Sequence, residues 1–370
     1  MITMKHLTYL SASLAALGLV ACSEPTAPPA ASHDLQAELE AIAEANPTAP
    51  GYAVAIIQDG ILTSAATGVA DPSGTPMTAT TPVRMASITK TFVAAAILRL
   101  VEQGNLDVDA SVAPLIAEEH DALLRGDGYD TDQITVRLLL MHASGMADHF
   151  ASDDFVAAVL SNPQRVWTRT EQLELMAEFT DPLGEPGAAF AYSDTGYLLL
   201  GEILERQTGL SLAEAVRQLT KWEELGLQGL YWEGEARPEN LPPRAHQWLG
   251  DVDTFDIHGS VDAFGGGGII GHVEDMARFF DALFAGRVFD HPSTLEFMMA
   301  AEGHPEGSPY RIGLFDRPVG DEPAFGHGGF WGTDAVALPG QNAVVVGVAL
   351  NQSGVQGLRR NTTSLLGSEE

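Results

Sequence analysis

Strand-forming residues crowd the two ends of this chain and helical patterning fills its middle, a distribution that leaves few folds open. Tyr52 to Ile57 is rich in β-formers, Asp59-Gly60 is a favoured turn pair, and Ile61 to Val69 returns as a second strand. Tyr310 to Phe315, Asp334 to Pro339 and Ala343 to Leu350 read as strands at the other end. Between them the period is helical: Leu115 to Leu124, Val136 to Met141, Asp154 to Leu160, Thr170 to Phe179, Gly196 to Thr208 and Leu212 to Leu219, with Pro and Gly at the breaks. A lone hairpin cannot sustain itself. The first and last segments are therefore expected to pair in one sheet, giving an α/β (α+β) domain from 35–85 and 255–370 with a helical domain, 86–254, inserted. Asp34 is placed to cap a helix from Leu35 to Ala45, and Val273 to Phe284 and Val355 to Leu366 supply further helices.

With 370 residues, 45% of them hydrophobic, the chain can bury a large core, which rules out overall disorder. Its formal charge of −31 repels phosphate backbones and anionic lipid, so nucleic acid is excluded as a partner. The acidic surplus reads as a strongly hydrated surface rather than a cation site.

Lys5 and His6 precede an apolar run from Leu7 to Ala21, too short to span a membrane but suited to a signal-peptide core, so 1–21 is expected to be removed. The run ends in Leu19-Val20-Ala21-Cys22, which resembles the bacterial lipobox, and that resemblance implies lipidation of Cys22. Cys22 is the sole cysteine in the sequence, so no internal disulfide can form. Residues 22–34, rich in Pro and Ala, read as a tether. The expected location is the cell envelope, lipid-anchored and facing the periplasm, with contact to the membrane through the lipid only.

The chain has three lysines, Lys5, Lys90 and Lys221, and one of them lies three residues after a serine in Ser87-Ile88-Thr89-Lys90. Residues i and i+3 share a helix face, so the amine can reach the hydroxyl, and burial in the apolar run to Gln103 would lower the lysine pKa toward a neutral base. The same residues also suit a serine cap followed by a snorkelling lysine, and the segment alone leaves both open. Tyr192-Ser193-Asp194 ends a Gly-Pro-flanked loop ahead of a helix, where Tyr192 could shuttle protons or Asp194 could simply cap. Gly326-His327-Gly328-Gly329-Phe330-Trp331-Gly332 has glycines where a backbone must approach a ligand, or where a bulged hairpin turns. Gly265 to Gly268 lacks the spacing of a nucleotide loop and reads as a close backbone approach at the site's edge. No histidine or acid cluster has metal-site spacing. A Gly-x-Ser-x-Gly elbow is absent.

Taken in order, Ser87-Ile88-Thr89-Lys90, Tyr192-Ser193-Asp194 and His327-Gly328-Gly329 resemble the Ser-x-x-Lys, Tyr-x-Asn and Lys/His-Thr-Gly elements of the serine β-lactamase and penicillin-binding-protein superfamily. The likeness is to its class C, DD-peptidase and esterase-like branch, and runs from about Gly51 to Asn351, including Ile134 to Gly145. It implies a β-lactamase/DD-peptidase-like fold, an antiparallel sheet flanked by helices plus a helical insertion. It implies Ser87 as acylated nucleophile, Lys90 as its base partner and Tyr192 as proton shuttle. The backbone amides of Ser87 and Phe330 would form the oxyanion hole, with Asp194, His327, Gly328 and Gly329 contacting substrate. It implies no metal or organic cofactor, and a monomer acting on a small molecule or peptide.

Two departures bear on substrate. Asp194 replaces the family's Asn and accepts only, so it cannot donate to a substrate carbonyl, and its charge would favour the protonated form of Lys90. His327-Gly328-Gly329 lacks the lysine and threonine that hold a β-lactam or peptide carboxylate. The expectation is therefore a lipid-anchored serine hydrolase of esterase or DD-peptidase type. The alternatives are a β-lactamase proper or a non-catalytic envelope-binding lipoprotein that keeps the fold.

Overall fold

The computed structural model describes residues 34–367. Asp34 opens it as the sequence predicts: its side chain accepts from the Ala37 amide and starts the helix Leu35–Ala45, with Leu35, Leu39 and Ile42 buried. Strands Gly51–Gln58 and Ile61–Gly68 pair antiparallel about Asp59 and Gly60, both at positive φ (51° and 77°). That is the turn whose twist suits a two-residue hairpin loop. The strand Gly51–Gln58 also pairs antiparallel with Ala343–Ala349, Ala55 lying opposite Val346. The sheet continues through Thr333–Leu338, Phe325–Gly329 and Phe315–Asp316, so the two ends of the chain do meet in one six-stranded sheet.

Both faces of that sheet are covered, which explains why Ala343–Ala349 carries no polar side chain. On one face Val54, Ile56, Val336 and Val345 pack against Leu39 and Ile42 of the first helix and Leu358 near the C-terminus. On the other, Ala53, Ala55, Ala335 and Val346 join the core of the helices Thr89–Glu102 and Val273–Phe284. Phe92 stacks on Phe279 there, ring centroids 3.5 Å apart, and every residue from Thr89 to Leu100 is buried. A helix this dry fixes whatever its first turn carries, because any rotation would expose apolar surface worth about 25 cal/mol per Å².

The middle of the chain forms helices Glu118–Gly126, Val136–Leu140, Asp153–Ser161, Arg169–Phe179, Asp194–Thr208 and Leu212–Leu219, close to their expected bounds. Thr168 with Glu171 and Ser211 with Glu214 close capping boxes at two of their starts. Three segments differ from expectation. Tyr310 to Phe315 is a tight turn rather than a strand: the Arg311 amide donates to the Leu314 carbonyl at 2.6 Å around Gly313 (φ 69°), and only Phe315–Asp316 joins the sheet. The glycine-rich segment before residue 333 is itself a strand, Phe325–Gly329. The C-terminal helix breaks at Asn361 into Val355–Arg360 and Thr362–Leu365. The helix Pro292–Met299 went unforeseen in the sequence, its short length leaving little period to read.

Candidate active site

Ser87 sits in a 3-10 turn, Ala86–Ile88, that runs straight into the buried helix Thr89–Glu102. The turn is strained and braced. Ala86 holds a positive φ of 48°, a conformation that costs a residue with a side chain on the order of 1–3 kcal/mol. On either side of Met85 the main chain is tied down: its amide donates to Ile269 and its carbonyl accepts from the Thr333 hydroxyl at 3.0 Å. Gln247, fully buried, brackets Arg84 with both ends of its amide and donates to the Trp331 carbonyl at 2.9 Å. Gly329 must be glycine, since a Cβ there would lie 2.3 Å from the Met85 carbonyl. These contacts seat the Phe325–Gly329 strand directly against the serine turn.

Lys90 is wholly buried and all three of its N–H groups are engaged. Nζ donates to Ser87 Oγ at 3.0 Å, to the Gly266 carbonyl at 2.6 Å and to the Asp194 carboxylate. The glycine run at 265–268 is thus a close backbone approach, as its composition suggests: a Cβ on Gly266 would stand 2.9 Å from Asp194 Oδ1. The helix Asp194–Thr208 is capped by Ser193, whose hydroxyl accepts from the Gly196 amide, so Asp194 faces Lys90 instead of capping. The expectation that burial leaves Lys90 neutral is overturned. Burial does pull the ammonium down, but the charge and hydrogen bond of Asp194, with Tyr192 and Asp262, hold it above the ordinary lysine value.

Tyr192 lies over this ammonium, Nζ 5.2 Å from its ring centroid, and packs 4.2 Å from the His142 ring. Burial pushes its phenol above the usual tyrosine range, against the opposing charge of Lys90. His142 Nδ1 accepts from the Ser193 amide at 3.1 Å, which leaves the ring proton on Nε2. Burial, then the Lys90 charge, drives His142 well below the normal histidine pKa, so it is a neutral wall behind the tyrosine.

His327 is buried and neutral for the same reason, burial first and Lys90 second. Its Nδ1 lies 2.8 Å from the Gly328 carbonyl and so carries the proton; Nε2 accepts from the Tyr310 hydroxyl at 3.1 Å. Both nitrogens are spent within the protein. His327 therefore walls the cleft without offering it a charge, although position 327 is where the resemblance puts a substrate contact. At Gly328 the neighbour is a side-chain end instead: a Cβ would stand 2.1 Å from Nη2 of Arg359, which would have to shift.

These groups share one cleft of about 900 Å³ that Ser87, Tyr192, Asp194, His327, Gly328, Gly329 and Phe330 all line. The sequence missed four charged residues on its walls. Asp148 and Asp262 approach Asp194, and burial followed by the Asp194 charge pushes both carboxyls up to about 7. Arg317 and Arg359 line the same cleft, so its expected lack of fixed positive charge holds at position 327 only. None of the four sits in a motif, and only the fold brings them to Ser87. Cys22 lies outside the described residues. Chemically, the arrangement offers a hydroxyl beside a charged amine, a carboxylate behind it to take a proton, and a serine turn seated against the strand that ends just before Phe330.

Comparison with known proteins places this geometry. The Beta-lactamase family model matches residues 39–366. The chain is similar to the D-aminopeptidase of Brucella anthropi, 25% identical over 297 residues covering 76% of this chain and 51% of that protein, so it spans about half of that relative's length. It is similar to esterase EstB of Burkholderia gladioli, 31% identical over 281 residues, 66% of this chain and 68% of the esterase. Among solved structures, a D-stereospecific amidohydrolase from Streptomyces sp. superposes with a TM-score of 0.75 at 26% identity, covering 88% of this chain and 98% of that one. The octameric penicillin-binding protein homologue from Pyrococcus abyssi shares the fold, with a TM-score of 0.74 at 24% identity over 90% of this chain and 77% of its own.

Proposed function

This chain belongs to the Beta-lactamase family, and from that premise we propose that it is a serine hydrolase that forms an acyl-enzyme on Ser87 and cleaves an ester or a peptide or amide bond. The observation that carries this reading is the contact of Lys90 Nζ with Ser87 Oγ, 3.0 Å, at the floor of an open cleft. The proton inventory then follows. As Ser87 Oγ bonds to the substrate carbonyl carbon, its proton must leave. An ammonium has no lone pair, so Lys90 takes that proton only by passing one of its own to Asp194. The carboxylate is the net acceptor. The carbonyl oxygen becomes an oxyanion facing the amides of Ser87 and Phe330, where two preorganised donors are worth about 10²–10³-fold each. Collapse breaks the bond to the leaving oxygen or nitrogen, which receives the stored proton through Tyr192. Water then repeats the cycle on the ester, freeing the acid and restoring Ser87.

Within this class the reading favours esterase or peptidase-like action. The two relatives described above are named for D-aminopeptidase and esterase activity, and the site contains neither the lysine nor the threonine of a Lys-Thr-Gly wall. We also propose that residues 1–21 are removed and Cys22 is lipidated, holding the enzyme at the envelope; a diacylglyceryl mass on the N-terminal peptide tests this, and an unmodified Cys22 in the native host contradicts it. For the chemistry, a fluorophosphonate probe followed by peptide mass spectrometry is expected to give one adduct, on Ser87. Labelling at another residue, or turnover that survives in Ser87→Ala, would overturn the mechanism.

A further inference from the structure

We propose that Gln247 is a positioning residue that sets the oxyanion hole, by tying the chain before Ser87 and the turn that carries Phe330 to one side chain; this rests on the hydrolase reading above. Gln247 lies in none of the three motif elements and does not line the cleft. It is fully buried, and its amide spends both N–H groups and its oxygen on main chain. Oε1 accepts from the Arg84 amide at 2.8 Å, while Nε2 donates to the Arg84 carbonyl at 3.1 Å and to the Trp331 carbonyl at 2.9 Å. The partners fix which end of the amide is which, because two carbonyls need the N–H groups and one amide needs the oxygen.

Both partners stand beside groups that act on the substrate. Arg84 leads through Met85 and the strained Ala86 to Ser87. Trp331 follows Phe330 in a turn that the Gly332 amide closes on the Gly329 carbonyl at 3.2 Å. Among the described residues, Gln247 is the one side chain hydrogen-bonded to the main chain of Phe330, Trp331 or Gly332. Its own backbone is anchored from both parts of the fold. The Ala245 amide donates to Pro82 and the Trp248 amide to Leu350, both at 2.8 Å, and the Gln247 carbonyl accepts from the amide and hydroxyl of Thr254 at 3.0 and 2.7 Å. Gln247 therefore ties the turn behind Phe330 to the chain that carries Ser87. A donor aimed in advance costs no reorganisation as the oxyanion forms, so losing this tie should raise the barrier and leave substrate binding alone.

Gln247→Met keeps the length of the side chain and removes all three bonds. With an activated short-chain ester its kcat is expected to fall roughly 10–10²-fold while KM stays within about twofold. Phenylboronate, whose tetrahedral adduct on Ser87 presents an oxygen to the hole, should lose affinity by the same factor. Rates are expressed per site labelled by a fluorophosphonate at endpoint, so unfolded protein is not counted. Gln247→Glu adds a pH signature: ionised, it has no donor for Trp331, and protonated it regains one, so its rate relative to wild type should rise as pH falls from about 8 to about 5. A loss that vanishes per labelled site, a loss carried by KM, or a Gln247→Glu ratio flat with pH overturns the proposal and leaves the hydrolase reading in place. If neither variant folds, a wild-type crystal structure with phenylboronate decides. A boronate oxygen about 2.7–3.1 Å from the Phe330 amide, with the Gln247 bond to Trp331 intact, supports the proposal, and an oxygen out of that amide's reach overturns it. Failure of ester, boronate and fluorophosphonate alike to modify Ser87 sinks the hydrolase reading itself.

Discussion

Lys90 lies behind Ser87 and His327 lines the cleft that Ser87 opens onto; both are buried to within 1% of fully, yet one ends charged and the other neutral. Lys90 keeps its proton because Asp194 stands against it. His327 has only a carbonyl and a phenol for partners, and burial strips its charge. Burial alone therefore does not set the electrostatics of this site; the partner does.

Removing the cation itself is the most severe way to break that contrast. Lys90→Met leaves three carboxylates around an uncharged side chain and no proton relay, and acylation of Ser87 is expected to slow by roughly 10³–10⁴-fold, measured with an activated ester. A residual rate within tenfold of wild type would show that the serine is activated by another group. The next largest effect comes from the partner. Asp194→Asn should cost about 10²-fold at pH 7, because the net proton acceptor is gone. The loss should recover as pH rises, since an unpaired buried lysine gives up its own proton more easily and can then act as base. A deficit that stays constant with pH would contradict this.

The smallest effect is on stability. His142, His149 and His327 are buried bases with folded pKa values below the usual 6.5, His149 at about 4. Below pH 6.5 the unfolded chain binds protons that the folded chain refuses, so stability present above that pH is lost as pH falls toward the folded values. Asp148 and Asp262, raised to about 7, act in the opposite sense: what they contribute as neutral acids is present below their unfolded value and lost as pH rises through about 7. Urea unfolding between pH 5 and 7 should show His327→Gln flattening the acid limb by up to about 1.4 kcal/mol per pH unit, and Asp262→Asn steepening it. Parallel limbs for wild type and His327→Gln would mean that His327 is charged in the fold.

Much of this site was legible because its core is local. Ser87 and Lys90 are three residues apart where a 3-10 turn runs into a helix, and the Asp34 cap and Asp59-Gly60 turn act within their own segments. The conflict between Asp194 and a neutral Lys90 was also visible, from the residue type alone. What stayed hidden is what the sheet assembles. Arg359 meets Gly328 only because the C-terminal helix lies across the strand, and Asp262 meets Asp194 across the glycine run. Tyr310 to Phe315 has strand-like composition, yet a local bond between Arg311 and Leu314 closes it into a turn. Ser193 and Asp194 are both good capping residues, and only the fold decides that the serine caps while the acid turns to the lysine.

Three lysines in the sequence make the central claim directly observable. ¹⁵N NMR of protein labelled at lysine Nζ, followed from pH 6 to 11, should show the Lys90 resonance as an ammonium past the ordinary lysine value of about 10.4. The Lys90 transition is expected to move down in Asp194→Asn. A neutral Lys90 amine at pH 7 in the wild type would contradict the account.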